Sequence, residues 1–465
     1  MNKRFINQKI ENHEFLSEKN KLFIEYVNKN PEFLNKNNFT YLNEGQLFPD
    51  SILNPWPTFI SKETESYFEQ TSISIFNLIK SIPKRIFDNN AQKISEYYKI
   101  PLYQVEVLLW SIPTNHIDNL LGRGDFIIDH KNELQCIEYN IATGLGGWEQ
   151  ELFVDVYMKS KHIEKFIVDN DLELKKSQFF KYLILHIQNA VEVNKINSEQ
   201  NFLRICIVDP RFVNSDCYED ERIVAIKNSV ESTFKNNNIE GEVIFCNYDQ
   251  LEGTSNGVFY NKKQIHCLLE WVGSTPASFL RIAQKNKVII LNGAITYLMT
   301  NKFNISLLSE YQDSKLFTEE ERELIKKHIP WTRKLIDKNT HYKDENCSLK
   351  SMVLKKQTNF VLKRSLGSSG DDVFIGSKVS SEIWREKVEL ALKEESWIVQ
   401  EYVKPQDYWY QINQNEAALH EIVFGFFVFG TTYAGGYVRL LPSDNEYGII
   451  NAKLGANVSP IFVIE

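Results

Sequence analysis

Apolar and polar positions alternate most legibly in one stretch, from Arg123 to Trp148. Phe126-Ile127-Ile128 is a short apolar run, Asp129 to Glu133 are turn formers, and Leu134 to Asn140 form a second run. This pattern predicts a β-hairpin that opens into the glycine-punctuated segment Ile141 to Gly147. A strict period of two puts Leu134, Cys136, Glu138 and Asn140 on one face, an acid and an amide beside two apolar residues. Before the hairpin, helical spacing dominates: Phe23, Ile24 and Val27, then Ile73, Ile75, Phe76 and Ile79, punctuated by Pro83, Pro101 and Pro113. Residues 1–120 are therefore predicted to be mainly helical. Trp148 to about Lys195 reads as a polar, helical stretch.

The pattern changes over 200–295. Leu203–Val208, Val243–Cys246 and Val288–Leu291 read as strands, with an amphipathic helix on Ile223, Val224, Ile226, Val230 and Phe234. Val258–Tyr260 and Ile265–Trp271 flank Asn261-Lys262-Lys263 as a hairpin. Such alternation predicts an α/β lobe with a partly parallel sheet, whose strand ends carry Asp209 and Asn292. Thr318 to Glu321 spells a capping box, and Pro330 stops the helix it starts. From about residue 350 strands dominate. Phe360–Lys363 runs into Arg364–Asp372, a Gly/Ser-rich loop, and Val373–Gly376 resumes a strand. Trp397–Val403 is another strand, and Ile422–Phe429 with Gly436–Leu441 forms a second hairpin. Asn451 to Pro460 reads as a closing small-residue loop.

Composition narrows the class. With 465 residues, 43% apolar and 25% charged, the chain has the make-up of a soluble globular protein of two or three domains. A net charge of −8 without a basic block argues against nucleic acid as the main partner. Six cysteines lack metal-ligand spacing and read as reduced thiols. The first residues lack the apolar core of a signal peptide, and the apolar run Ile422–Phe429 is too short to span a bilayer. The expectation is a cytoplasmic protein with no membrane partner.

Three features carry candidate chemistry. Asp125, Glu138 and Asn140 together make an oxygen-only ligand set, suited to magnesium and not zinc, although Glu-x-Asn also suits an ordinary hairpin with a solvated face. Lys363 at the mouth of the Gly/Ser loop puts a point charge beside backbone amides that can wrap phosphate oxygens. An exposed turn would look the same. Arg439 is a charge inside an apolar strand, which is rarely left unpaired.

Taken in order, these pieces resemble the ATP-grasp superfamily. The hairpin RGDFIIDHKNELQCIEYN resembles the Arg-x-Asp and Glu-x-Asn segments shared by eukaryotic-type glutathione synthetases and the glutathionylspermidine synthetase-like, circularly permuted ligases. IATGLGG resembles the loop that follows in the former, and NKFNISLLSE with FTEEERELIKKHIPWTRKL resembles segments of the latter. The resemblance covers about residues 120 to 465. It implies an α/β fold (with α+β elements) of the circularly permuted ATP-grasp type. A helical region would span 1–120, a core with a Gly/Ser-rich lid 121–195 and 300–465, and an inserted α/β substrate lobe 200–295.

It further implies ATP and magnesium as cofactors. Asp125, Glu138 and Asn140 match metal ligands, Lys302 and Lys363 the phosphate lysines, and Gly367, Ser368, Ser369 and Gly370 the lid. Gln400, Glu401 and Val403 match the adenine hinge, and Arg123 and Arg439 the arginines at the reacting carboxylate. The implied activity is an ADP-forming carboxylate–amine ligase acting through an acyl phosphate. Its partners would be a small-molecule carboxylate and an amine (amino acid, peptide or polyamine), with a homodimer left open. Two departures stand out. Leu366-Gly367 occupies the place of the lid glutamate, for which Asp371 or Asp372 would have to substitute, and the substrate-holding Arg-x-x-Tyr is missing around Trp271-Val272-Gly273. A nucleotide-binding protein without ligase activity, and a phosphotransferase, are the alternatives.

Overall fold

The hairpin forms, and one extra residue decides which way it faces. The computed structural model describes residues 9–30, 52–111, 117–175, 177–196, 202–212, 220–271, 275–343, 345–367, 370, 372–413, 416–446, 448–451 and 454–464. Strands β1 (Leu121–Ile128) and β2 (Leu134–Asn140) pair antiparallel, with Ile128 opposite Leu134 and Phe126 opposite Cys136. Between Phe126 and Asp125 the register jumps, because Asp125 lies opposite Glu138. Ile137 is a β-bulge. Opposed residues share a face, so Glu138 and Asn140 lie with Asp125 and Arg123, while Leu134 and Cys136 lie with Ile128 and Phe126. The single shared face expected from strict alternation is therefore corrected: the bulge turns the polar end of β2 over and leaves its apolar start in the core.

Downstream, β3 (Phe202–Val208), β4 (Glu240–Cys246), β5 (Cys267–Glu270) and β6 (Ile289–Leu291) form a wholly parallel sheet in the order β6-β5-β3-β4. The expected hairpin around Asn261 is confined to Gly257–Tyr260 and Lys263–Ile265; β5 leaves it for the parallel sheet. The capping box is made as expected: Glu321 N–H donates to Thr318 Oγ1 (3.2 Å) and Thr318 N–H to Glu321 Oε2 (2.9 Å). Strands β7 (Thr332–Lys334), β8 (Phe360–Arg364), β9 (Val373–Ile375) and β10 (Trp397–Glu401) make an antiparallel sheet ordered β7-β10-β8-β9. Its far face buries Phe360, Leu362, Trp384, Trp397 and Val399 in a core of its own.

The hairpin edge of the largest sheet is joined by β11 (Glu416–Phe429), β12 (Thr432–Pro442) and β13 (Asn457–Ile464), in the order β13-β12-β11-β1-β2. Helix α1 (Lys62–Arg85) covers the back of this sheet, started by Ser61, whose side chain accepts from Thr64 N–H. Phe68 meets Phe426 at 4.8 Å between ring centroids, and Phe76 stacks on Tyr139 at 5.2 Å. Two expectations change here. The closing segment is not a loop throughout: from Asn457 it is a sheet strand, carried by buried Val458, Ile461, Phe462, Val463 and Ile464. The N-terminal region also contributes two strands, Ile52–Leu53 and Thr58–Ser61, both parallel to β13.

An alanine inserted between Asp125 and Phe126 would give Ile137 a partner, restore strict alternation and turn Asp125 and Glu138 to the core face of Phe126 and Cys136, so the insertion variant should not unfold cooperatively in urea. Ile137→Ala keeps the bulge and should cost about 1–2 kcal/mol. Wild-type stability in the insertion variant would show that the bulge does not set the faces.

Candidate active site

The front of the large sheet and the inner face of the β7–β10 sheet enclose a cavity of about 540 Å3. Arg123, Asp125, Glu138, Asn140 and Arg439 line it from the large sheet. Lys363, Gln400, Glu401 and Val403 face them from the other side, and Lys302, Gly367 and Gly370 close the rim. Residues separated by more than 300 positions are thus brought to one place. Ser368, Ser369 and Asp371 of the expected lid lie outside the described residues, as do Val272 and Gly273.

Asp125 is the electrostatic centre. Arg123 donates to it from Nε (2.9 Å) and NH2 (3.3 Å), Arg439 from NH2 (2.9 Å) and Asn140 from Nδ2 (3.2 Å). Burial would raise the Asp125 carboxyl, but Arg123 and Arg439 overrule it and hold the pKa down at about 2. The Arg123 charge is likewise opposed by burial and rescued, its pKa raised by Asp125, Tyr437 and Glu138. Asp125 therefore serves as counter-ion to two guanidinium groups, and its expected place as an open metal ligand is already filled. Arg439 keeps something in hand: it is 93% buried, and its Nε–H has no acceptor among the described residues.

The two lysines are held differently. Lys302 donates to the carbonyl of Gly367 (2.7 Å) and pairs with Glu138 (3.1 Å), tying the rim loop to β2. Lys363 donates to Gln400 Oε1 (2.8 Å) and to the carbonyl of Ile137 (3.0 Å), the residue of the bulge. Burial lowers the Lys363 pKa to about 8; Glu138 opposes the shift and Lys302 adds to it. Gln400 is fixed in turn by Nε2 donating to Thr332 Oγ1 at 3.1 Å. Glu401 is turned outward to Tyr342 Oη (2.8 Å), leaving its backbone and Val403 to line the cavity.

A magnesium ion fits this set only with help from a ligand. Among the described residues no three His, Cys, Asp or Glu side chains converge as a metal site. Asp372 is engaged by Arg364 at 2.8 Å. Glu138 remains, with the Asn140 side-chain oxygen, left over because Asn140 donates to Asp125 through Nδ2. One carboxylate and one amide oxygen suit an ion held mostly by water and phosphate oxygens.

Two residues that line the cavity were not expected there. Tyr437 accepts from Arg123 NH1 at 3.1 Å, and period two from Arg439 would have found it. Glu421, whose carboxyl is pushed up by burial and by Asp407 opposite, enters the apolar run of β11 as Arg439 enters that of β12.

No family model and no curated protein matches the sequence. Among solved structures, the fold is similar to a glutathione synthetase-like effector of Globodera pallida in its apo form. That likeness has a TM-score of 0.56 at 10% identity, over 89% of this chain and 90% of that one. A protein of Methylobacillus flagellatus provisionally named gamma-glutamylcysteine synthetase aligns over 83% and 88% at 13% identity, but its TM-score of 0.41 is too low to carry weight. The likeness is one of fold: this chain has the mixed α/β architecture of a glutathione synthetase-like protein.

Proposed function

We propose that this protein is an ATP-dependent carboxylate–amine ligase of the ATP-grasp type, forming an amide or peptide bond through an acyl phosphate. One observation carries the reading. Between the two sheets, Arg123, Arg439, Lys302 and Lys363 converge on one cavity, and the buried Arg439 Nε–H has no acceptor among the described residues. Four buried cations at one cavity, one of them with an unfilled donor, suit an anionic ligand.

Lys302 and Lys363 would hold the β- and γ-phosphates, and the backbone of Glu401 to Val403 would meet the adenine edge. Arg439 and Arg123 would orient the acid's carboxylate. A carboxylate oxygen attacks the γ-phosphorus, the bond to the β-bridging oxygen breaks, and ADP leaves with that electron pair. The amine nitrogen then attacks the acyl carbon, phosphate departs, and the nitrogen loses a proton. Bound magnesium, held by Glu138 and Asn140, would offset the phosphate charge. The loop from Leu366 to Asp372 would keep water from the activated acid. Binding of nucleotide without ligation is the second reading, favoured by the engagement of Asp372 with Arg364.

An ADP-release screen over amino acids, short peptides and polyamines, followed by oxygen-18-labelled acid, tests the reaction. One labelled oxygen should appear in released phosphate for each amide formed. Unlabelled phosphate beside amide product would refute the acyl phosphate, a stable phosphorylated product would mark a phosphotransferase, and no ADP release a binding protein.

Lys363 gives a pH signature. Phosphate oxygens attract its charged form and raise its pKa on binding, so above pH 8 binding must take up a proton. Affinity for a non-hydrolysable ATP analogue should fall by up to tenfold per pH unit above about 8. Stability moves the other way: the unfolded lysine returns to 10.5, binds more protons between 8 and 10.5, and the fold gains stability as pH rises through that window. Calorimetry of Lys363→Met should show at least tenfold weaker binding, no pH dependence in this range and no fall in Tm.

A further inference from the structure

Tyr437 lies two residues before Arg439 on β12 and shares its cavity face. Across the sheet it stands opposite Gly425, which in turn stands opposite Asp125. A side chain at 425 would press on Arg123 Cδ at 3.0 Å and on the Tyr437 ring at 3.1 Å. Its absence lets the Arg123 side chain cross the strand and reach the phenol. There Arg123 NH1 donates to the carbonyl of Gly146 (2.7 Å) and to Tyr437 Oη (3.1 Å), and the hydroxyl donates onward to the same carbonyl at 3.4 Å. The guanidinium carbon also sits 5.8 Å from the Tyr437 ring centroid. With its two bonds to Asp125, Arg123 has committed four of its five N–H groups, leaving one on NH2 for a ligand.

The other edge of the ring meets the glycine loop. Gly147 has φ +102°, and a Cβ there would fall 2.3 Å from Tyr437 Cε1, so the phenol fills the place a side chain would take. Tyr437 thus touches the arginine with its hydroxyl, Gly146 with the same hydroxyl and Gly147 with its ring.

We propose that Tyr437 is a positioning residue for the reacting anion. It joins Arg123 and the Gly146–Gly147 backbone into one wall, so that the phenolic hydroxyl, with Asp125 and the Gly146 carbonyl, aims the last free N–H of Arg123. Calling that anion the activated acid rests on the ligase reading; the coupling of Tyr437, Arg123 and Gly146 does not.

Tyr437→Phe in the full chain removes the hydroxyl and keeps the ring. Inorganic phosphate, titrated calorimetrically onto protein saturated with magnesium ADP, is the probe for the anion site. The phosphate Kd should rise about tenfold, as loss of one bond to a charged group implies, while magnesium ADP binds within twofold of wild type. Amide hydrogen exchange over residues 144–147 should quicken about tenfold. Unchanged phosphate affinity, unchanged exchange, or no phosphate binding by the wild type would overturn the proposal. So would an equal loss of ADP and phosphate binding, which marks a general structural role. A wild-type protein that binds no nucleotide would sink the ligase reading instead, and the exchange comparison would still decide the role of Tyr437.

Discussion

One buried carboxylate, Asp125, is the constraint on which the site depends. An unpaired charge at that depth is too costly to keep, and two guanidinium groups at the same depth are costlier still. Together they are tolerable, and only together. Arg123 reaches Asp125 along β1, Arg439 reaches it from β12 across the intervening β11, and Asn140 reaches it from β2. The cluster therefore ties three strands at a fixed register. Gly425, in the strand between, has to be small for the bridge to close.

The bulge at Ile137 is the second constraint, and it works through the backbone. It turns Glu138 and Asn140 to the cavity, and its carbonyl accepts from Lys363 of the opposite sheet. A regular ladder would have left the acid in the aromatic core and the lysine without that acceptor. The two sheets are thus matched by a local irregularity, a common use of bulges beside binding sites.

What could be read from the sequence follows the range of the interactions. The turn at Asp129–Glu133 and the capping box at Thr318 are local chemistry, and both strands of the hairpin and the helix after Thr318 form where the pattern puts them. Nothing local marks Ile137 as the extra residue; its register is set by the partner strand. Nor could the sequence show that Asp125 is already engaged, since Arg439 meets it only after the sheet is assembled. The last strand hid behind Gly455, Ala456 and Asn457, small and polar residues that look like loop until the apolar positions from Val458 are counted. The grouping of Lys302, Lys363, Arg123 and Arg439 came from resemblance, and the cavity brings those four side chains together on independent grounds.

Each of the two lysines in the cavity is held by protein groups that a ligand could replace. Lys302 is shared between Glu138 and the Gly367 carbonyl, Lys363 between Gln400 and the bulge carbonyl. Under the proposed reading, a phosphate that takes Lys302 competes with both of its partners at once. It frees Glu138 to meet a metal ion in the same step that loosens the rim loop. Carbonyls and amides are weaker partners than phosphate oxygens for an ammonium group, so the exchange runs toward the ligand. Asp125 differs in kind. Its two arginines are charge-paired and buried, so a ligand can add to Arg439 Nε and to the one spare N–H of Arg123 without displacing the carboxylate beneath them. Under that reading the lysines would trade partners as a nucleotide arrives, whereas the arginine pair would stay, which is what the two halves of an acyl-phosphate reaction require of them.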